Sequence, residues 1–272
     1  MPKPVPAIIT LAITGALLPA APAHAATTDR ALLFTFCDAA NIKGSTCKHA
    51  KGYPNAPKRG CDVTLRAERY GGKFLTPGNP LFVVFYDSRC EAHATDNGGA
   101  LVFEQVGGAY NFKSFQPGMQ GSECVTLPTS EQQDALVCLT GHMGQGILES
   151  GVARMTFKED AGQRFTISMD MDMLLRAEDT EGAYGANTVT CKTDQFKVFD
   201  VSKLSVGPRP NTVVVEADYA DAALIKTACG KGFAKPEDAI GELPPGDAYV
   251  PEGRAKSGKL VVDLVTRKVA PW

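Results

Sequence analysis

The sequence predicts an all-β protein, and three observations carry that prediction. The apolar runs Ala31–Phe36, Leu81–Tyr86 and Ala135–Thr140 are each six residues long, and each combines aliphatic with aromatic or β-branched residues. Runs of that length suit a pleated, half-buried surface better than a helix. Glycine pairs at Gly71-Gly72 and Gly107-Gly108 fall between such runs, where a hairpin needs the positive φ that only glycine adopts cheaply. The three runs also begin at positions 31, 81 and 135, at spacings of 50 and 54 residues, which suggests a repeat. A propeller-like repeat of strand–loop–hairpin units is the architecture this spacing favours, with a β-sandwich as the alternative.

The chain opens with a predicted export signal. Lys3 supplies a positive charge, Ala7–Leu18 carry none, and Ala23-His24-Ala25 closes the stretch. That order is a secretory leader over residues 1–25. Its apolar run is shorter than the roughly twenty residues that span a bilayer as a helix. The remaining 247 residues, 26–272, suffice for a single large β domain, and no boundary within them is evident.

The first unit reads as the strand Ala31–Phe36, a polar loop, the strand Cys61–Ala67, a turn at Tyr70-Gly71-Gly72 and the strand Lys73–Leu75. The second reads as Leu81–Tyr86, Ala100–Gln105, the turn Gly107-Gly108 and Ala109–Phe115. The third reads as Ala135–Thr140, Val152–Phe157, a turn around Ala161-Gly162 and Arg164–Met169. A glycine hairpin followed by a strand resembles secreted bacterial propeller repeats of the FG-GAP type. Those repeats carry an acidic calcium loop where this chain has Ser130-Glu131-Gln132-Gln133-Asp134, so the family is not assigned.

Beyond residue 170 the repeat fades. Asn187–Cys191, Phe196–Phe199, Thr212–Glu216 and Lys259–Val265 are predicted strands, and Met173–Glu178 a short helix. The principal helix is predicted at 220–229. Asp218 or Asp221 can cap it, Ala222, Ala223 and Leu224 favour it, and Gly230 can end it. Residues 232–258, rich in proline and glycine, read as an extended surface segment.

The eight cysteines are Cys37, Cys47, Cys61, Cys90, Cys124, Cys138, Cys191 and Cys229. An even number behind an export signal predicts up to four disulfides. Cys124 with Cys138 and Cys191 with Cys229 are the favoured pairs. Cys37, Cys47, Cys61 and Cys90 then pair among themselves, with Cys47–Cys61 suggested. A cysteine zinc site is disfavoured, because even the nearest pair, Cys37 and Cys47, has nine residues between.

After the leader only His49, His93 and His142 remain, each in a predicted loop after the first strand of a unit. If the units are radial, these loops share a rim, and three imidazoles with Asp38 or Asp87 nearby would suit zinc and metal-assisted hydrolysis. The plainer reading is that polar residues gather in loops. Asp170 and Asp172 share one face of a strand, with Glu178, Asp179 and Glu181 following, which suggests calcium or simply a solvated acidic loop. The stretch from Gly253 to Lys259 mimics a phosphate-binding loop, but Leu260 stands where a hydroxyl should hold magnesium. No G-x-S-x-G elbow is present. Tyr86, Phe103, Tyr110, Phe112 and Phe115 are predicted core.

Without Lys3 the chain carries 27 basic and 30 acidic residues. That balance gives no reason to expect nucleic acid, and no later segment is apolar enough to insert in a membrane. The functional expectation is an exported binding protein for an unknown protein or carbohydrate ligand, displayed on disulfide-bonded loops. A metal-dependent hydrolase and a structural envelope protein are the alternatives.

Overall fold

The computed structural model describes residues 29–54, 58, 60–88, 90, 98–144, 147–159, 166–237, 242–251 and 253–272. The predicted leader, His93 and the turn at Ala161-Gly162 lie outside them. The described residues are mostly strand, in four antiparallel sheets with no closed barrel and three helices.

Helix α1 (Asp29–Leu33) precedes sheet I, a six-stranded meander. Its strands are β1 (Ile42–Lys43), β2 (Thr46–Ala50), β3 (Cys61–Gly72), β4 (Leu81–Asp87), β5 (Gly98–Val106) and β6 (Ala109–Pro117). Sheet II follows, with β7 (Ser122–Pro128), β8 (Asp134–Gly144), β9 (Ile147–Glu159) and β10 (Ile167–Asp179) in the spatial order β10-β9-β8-β7. Helix α2 (Glu181–Tyr184) leads to β11 (Asn187–Thr190), and then come β12 (Lys197–Val206), β13 (Thr212–Ala220) and helix α3 (Ala222–Lys231). The chain ends with β14 (Asp247–Val250), β15 (Lys256–Asp263) and β16 (Val269–Pro271). Strands β12, β13, β15 and β16 form sheet III, and β11 with β14 forms a two-stranded ribbon.

The alternation of side chains along β8 shows how the sheets meet. Ala135, Val137 and Leu139 share a core with Val213, Val215, Leu260 and Val262 of sheet III. Leu136 and Cys138, on the opposite face, share another with Val83, Phe85, Ala100 and Val102 of sheet I. Sheet II is therefore covered on both faces, which is why Ala135–Leu139 is a continuous apolar run rather than an alternating one. Strands β4 and β5 are likewise two-sided. Their other face packs Val84, Tyr86, Leu101 and Phe103 against Leu32, Leu33, Phe36 and Tyr53 from the N-terminal segment. Each such aliphatic or aromatic side chain contributes about 1.5–3 kcal/mol on burial. The predicted core aromatics fall here, with Tyr86, Phe103 and Phe115 buried and Tyr110 and Phe112 half-buried beside them. A fourth group, Val189, Phe199, Ile225 and Ala228, seats α3 on the ribbon.

A bulge in β10 redistributes its side chains. The register with β9 shifts between Met173 and Leu175. Ile167 and Met169 consequently face sheet I, whereas Leu175 and Ala177, also odd-numbered, face sheet III.

Sheets I and II are also joined by a side-chain bridge at their edges. Gln116 of β6 accepts from the Met169 N–H at 3.2 Å and donates to the Ile167 carbonyl at 2.9 Å. Ser114 donates to the same carbonyl. Gly99 makes room at the other side of β6, because a Cβ there would strike the Gln116 carbonyl and the Tyr86 hydroxyl.

Several expectations are corrected. Ala31–Phe36 is not a strand: α1 covers Asp29–Leu33, and the buried residues Leu32, Leu33, Phe36 and Cys37 recur at helical spacing. Gly71-Gly72 is not a turn but the end of β3, paired with Phe82 and Leu81. Lys73–Leu75 is not a strand. It lets the Phe74 ring fold back over Gly72, where a Cβ would collide with it. Met173–Glu178 is strand, held by cross-strand pairing to β9, not helix. Helix α3 begins after Asp221, whose carboxylate accepts from the Leu224 N–H at 3.0 Å. It runs past Gly230 to Gly232, whose φ of 67° glycine adopts without strain and whose N–H donates to the Ala228 carbonyl.

The disulfides are Cys37–Cys47, Cys61–Cys90, Cys124–Cys138 and Cys191–Cys229. The suggested Cys47–Cys61 bond is replaced. Cys47 meets Cys37, which α1 and the following turn deliver to β2, and this leaves Cys61 at the start of β3 for Cys90 after β4.

Candidate functional site

The two described histidines lie on different sheets. His49 is exposed on β2 of sheet I, with φ 54°. His142 lies on β8 of sheet II, its backbone paired with Glu149. Both occupy strands rather than the predicted loops. Among the described residues, no three His, Cys, Asp or Glu side chains are grouped to hold a metal. The predicted acidic site is closed by bases. Asp172 pairs with Arg154 at 2.6 Å and Arg267 at 2.5 Å, Asp170 with Lys158 at 3.2 Å, and Glu178 with Lys197 at 2.7 Å. Asp179 accepts from the Glu181 N–H. Burial raises the Asp172 carboxyl's pKa, but the hydrogen bonds and charges of the two guanidiniums together outweigh it and hold the carboxyl below its usual value.

Among the described residues, cavities of about 630, 520 and 340 Å³ fall in the size range of small-ligand sites. The first, about 630 Å³, is lined by Lys48, His49, Asp62, Thr64, Asp87 and Cys90, among others. The Cys61–Cys90 disulfide ties its walls together. Its charges satisfy one another. Lys48 and Asp62 are 2.5 Å apart, the His49 N–H donates to Asp62 at 3.2 Å, and Arg66 pairs with Asp87 at 2.7 Å. The hydrogen bond from Lys48 is the main cause of Asp62's lowered pKa, against a smaller opposing effect of burial.

The second cavity, about 520 Å³, lies on sheet II near the β8–β9 hairpin. Its floor includes Met171 and Met173, and its rim includes Glu149, Arg176, Glu178 and Lys197. The β9–β10 register explains the grouping. Arg176 is opposite Gly151 and Glu178 is opposite Glu149, so Arg176, Glu149 and Glu178 share the face that Met171 and Met173 occupy before the bulge. Gly118 and Gln120, just beyond β6, form the far wall. Gln120 accepts from Arg66 at 3.3 Å, while its Nε2 is buried without a hydrogen-bond partner among the described residues. Glu178 is engaged by Lys197, but Glu149 and Arg176 are exposed and take part in no ion pair among the described residues. The arrangement offers a guanidinium and an amide donor beside a soft, adaptable apolar floor.

No family model, curated protein or solved structure matches the chain. The sequence reading missed this second cavity altogether. The available signal was Met169, Met171 and Met173 alternating with Asp170 and Asp172, a period of two that marks a strand running through 173. Arg176 joins the methionine face only because of the bulge, and no periodicity announces that.

Proposed function

We propose that this chain is an exported binding protein and that the cavity on sheet II takes its ligand. The four disulfides fit a secreted or extracellular protein. No helix of the described residues is long and apolar enough to cross a membrane. The scaffold we read is the layered, sandwich-like alternative rather than radial blades, supported by the two covered faces of sheet II.

One observation carries the ligand reading. On sheet II Arg154, Lys158, Asp170, Asp172 and Glu178 form ion pairs, yet among the described residues Arg176 and Glu149, which line the cavity with two methionines, take part in none. That combination fits a ligand with an anionic group for Arg176 and an apolar body for the methionines. It fits a peptide-like ligand better than a carbohydrate, since the described residues that line the cavity include no aromatic ring for a sugar to stack on.

The test is an amide chemical-shift titration of the ¹⁵N-labelled protein with a panel of short acidic peptides and organic carboxylates. Saturable shifts at Met171, Met173, Arg176 and Glu149, lost in Arg176→Ala, are expected. Shifts confined to Lys48–Asp62 would move the site to the first cavity. Turnover of ester substrates by the metal-loaded protein would favour the hydrolase instead.

A further inference from the structure

The bridge between β6 and β10 points to how a ligand is held in this cavity. Strand β10 pairs with β9 on one side only and forms the edge of sheet II. At its beginning that edge is occupied. The Gln116 amide accepts from Met169 N–H and donates to Ile167 C=O, the two bonds that a neighbouring strand would make. In an antiparallel ladder the N–H and C=O of one residue point to the same side and alternate from residue to residue. Ile167 and Met169 therefore turn their peptide groups outward, and so do Met171 and Met173. Beyond the bulge, the pairing of Leu175 with Val152 and Arg176 with Gly151 makes Arg176 and Glu178 the next outward residues.

These four residues, Met171, Met173, Arg176 and Glu178, line the sheet II cavity. Among the described residues no strand pairs with them on that side. Sheet I leaves the edge where β6 ends at Pro117, and Gly118, with φ 77°, turns the chain away. The bridge thus stops and the cavity begins in one row of peptide groups. A bare strand edge of this kind is a template for another strand.

We propose that the cavity binds an extended peptide segment of a partner protein by strand addition to β10, continuing the ladder that Gln116 starts. The peptide places an acidic side chain opposite Arg176, an exposed guanidinium that takes part in no ion pair among the described residues. Alternate side chains rest on Met171 and Met173. The proposal rests on the cavity being the binding site and adds that main-chain hydrogen bonds supply the recognition.

The probe is a pool of acetylated, amidated octapeptides alternating Val or Thr with Asp or Glu. Each is paired with a copy N-methylated at every second residue, which removes ladder donors and keeps the side chains. Titration of the ¹⁵N-labelled protein is combined with hydrogen exchange. Binding by the unmethylated peptides is expected, with at least tenfold slower exchange at the Met171 and Met173 amides and at least tenfold weaker binding by the methylated copies. Met171→Pro removes one outward N–H without touching the ladder to β9, so it should abolish binding while circular dichroism stays unchanged. Equal binding by both peptide series without amide protection overturns strand addition and leaves the cavity reading intact. Failure of the peptide pool and of organic carboxylates alike overturns both. Concentration-dependent dimerisation that protects the same amides overturns the partner in favour of a second copy of this chain.

Discussion

Truncating Gln116 tests the bridge on which the two sheets meet. Gln116→Ala removes the acceptor for Met169 N–H and one donor to Ile167 C=O. The carbonyl keeps the Ser114 hydroxyl. The Met169 N–H keeps no other partner described, and that residue is only 1% exposed. A neutral hydrogen bond contributes about 0.5–1.5 kcal/mol net, and a buried donor left unpaired costs about 1–3 kcal/mol. The expected loss is therefore roughly 2–3 kcal/mol, because the damage falls on one orphaned donor and one carbonyl that is still satisfied. For a chain of this size that lowers Tm by about 4–10 °C. Urea unfolding is the assay, and a lower midpoint with an unchanged slope is expected, since the surface exposed on unfolding stays the same. Hydrogen exchange should speed up first at Met169. A loss below about 0.5 kcal/mol, the range of ordinary surface substitutions, would show that water replaces the amide at no cost and that the bridge does not join the sheets.

The ion pairs and caps give further expectations. The Asp172 carboxyl is held below its usual 3.8, so its charged form stabilises the fold. That contribution is complete above 3.8 and is lost as pH falls through the lower, folded value. Asp172→Asn should cost about 1 kcal/mol near neutral pH and progressively less below the usual carboxylate pKa, and an equal loss at both ends of a pH series of urea melts would refute the assignment. Replacing Cys124 and Cys138 together by Ala opens a loop with a sequence separation of 14. The loss expected is about 3 kcal/mol on the entropic account, read from denaturation midpoints of the oxidised wild type and the variant. Asp221→Ala removes the cap on Leu224 N–H and the partner of Lys256. It should cost about 1 kcal/mol and accelerate amide exchange at Leu224 and Ile225, whereas unchanged exchange would mean that α3 is held by its packing alone.

The strands were legible where chemistry and burial agree. Leu81–Tyr86 and Ala135–Thr140 are apolar at nearly every position because both faces of β4 and β8 are covered, and the sequence marks that directly. The Gly107-Gly108 hairpin was legible because both residues adopt positive φ, at 57° and 84°. The Asp221 cap was legible for the same local reason. Ala31–Phe36 was not, because six apolar and β-branched residues suit a strand and a helical turn equally, and burial of Leu32, Leu33, Phe36 and Cys37 against sheet I decides between them. Met173–Glu178 was misread because Met, Leu, Arg, Ala and Glu are good helix formers, and pairing with the whole length of β9 overrides that preference. The cavity was hidden for a related reason. Its residues come from four strands and the segment after β6, and Arg176 and Glu149 are brought to one face through register alone.

The extra residue at Leu174 has a consequence for how this chain can change in length. With it, Leu175 and Ala177 serve the sheet III core while Arg176 and Glu178 face the cavity. Deleting it would restore plain alternation without exchanging the two sets, because Leu175 opposite Val152 already follows Met173 opposite Ala153 in step with β9. The harm of one lost codon at this position would therefore be that of removing a buried leucine from the sheet III core, not that of turning the strand over. By contrast, Gly107-Gly108, at an exposed tip where added Cβ atoms meet nothing within 4 Å, can gain or lose residues without moving a single core side chain. The permitted sites of insertion and deletion are thus written into the fold residue by residue, and in β10 the bulge at Leu174 is where one residue can be absorbed without turning the strand over.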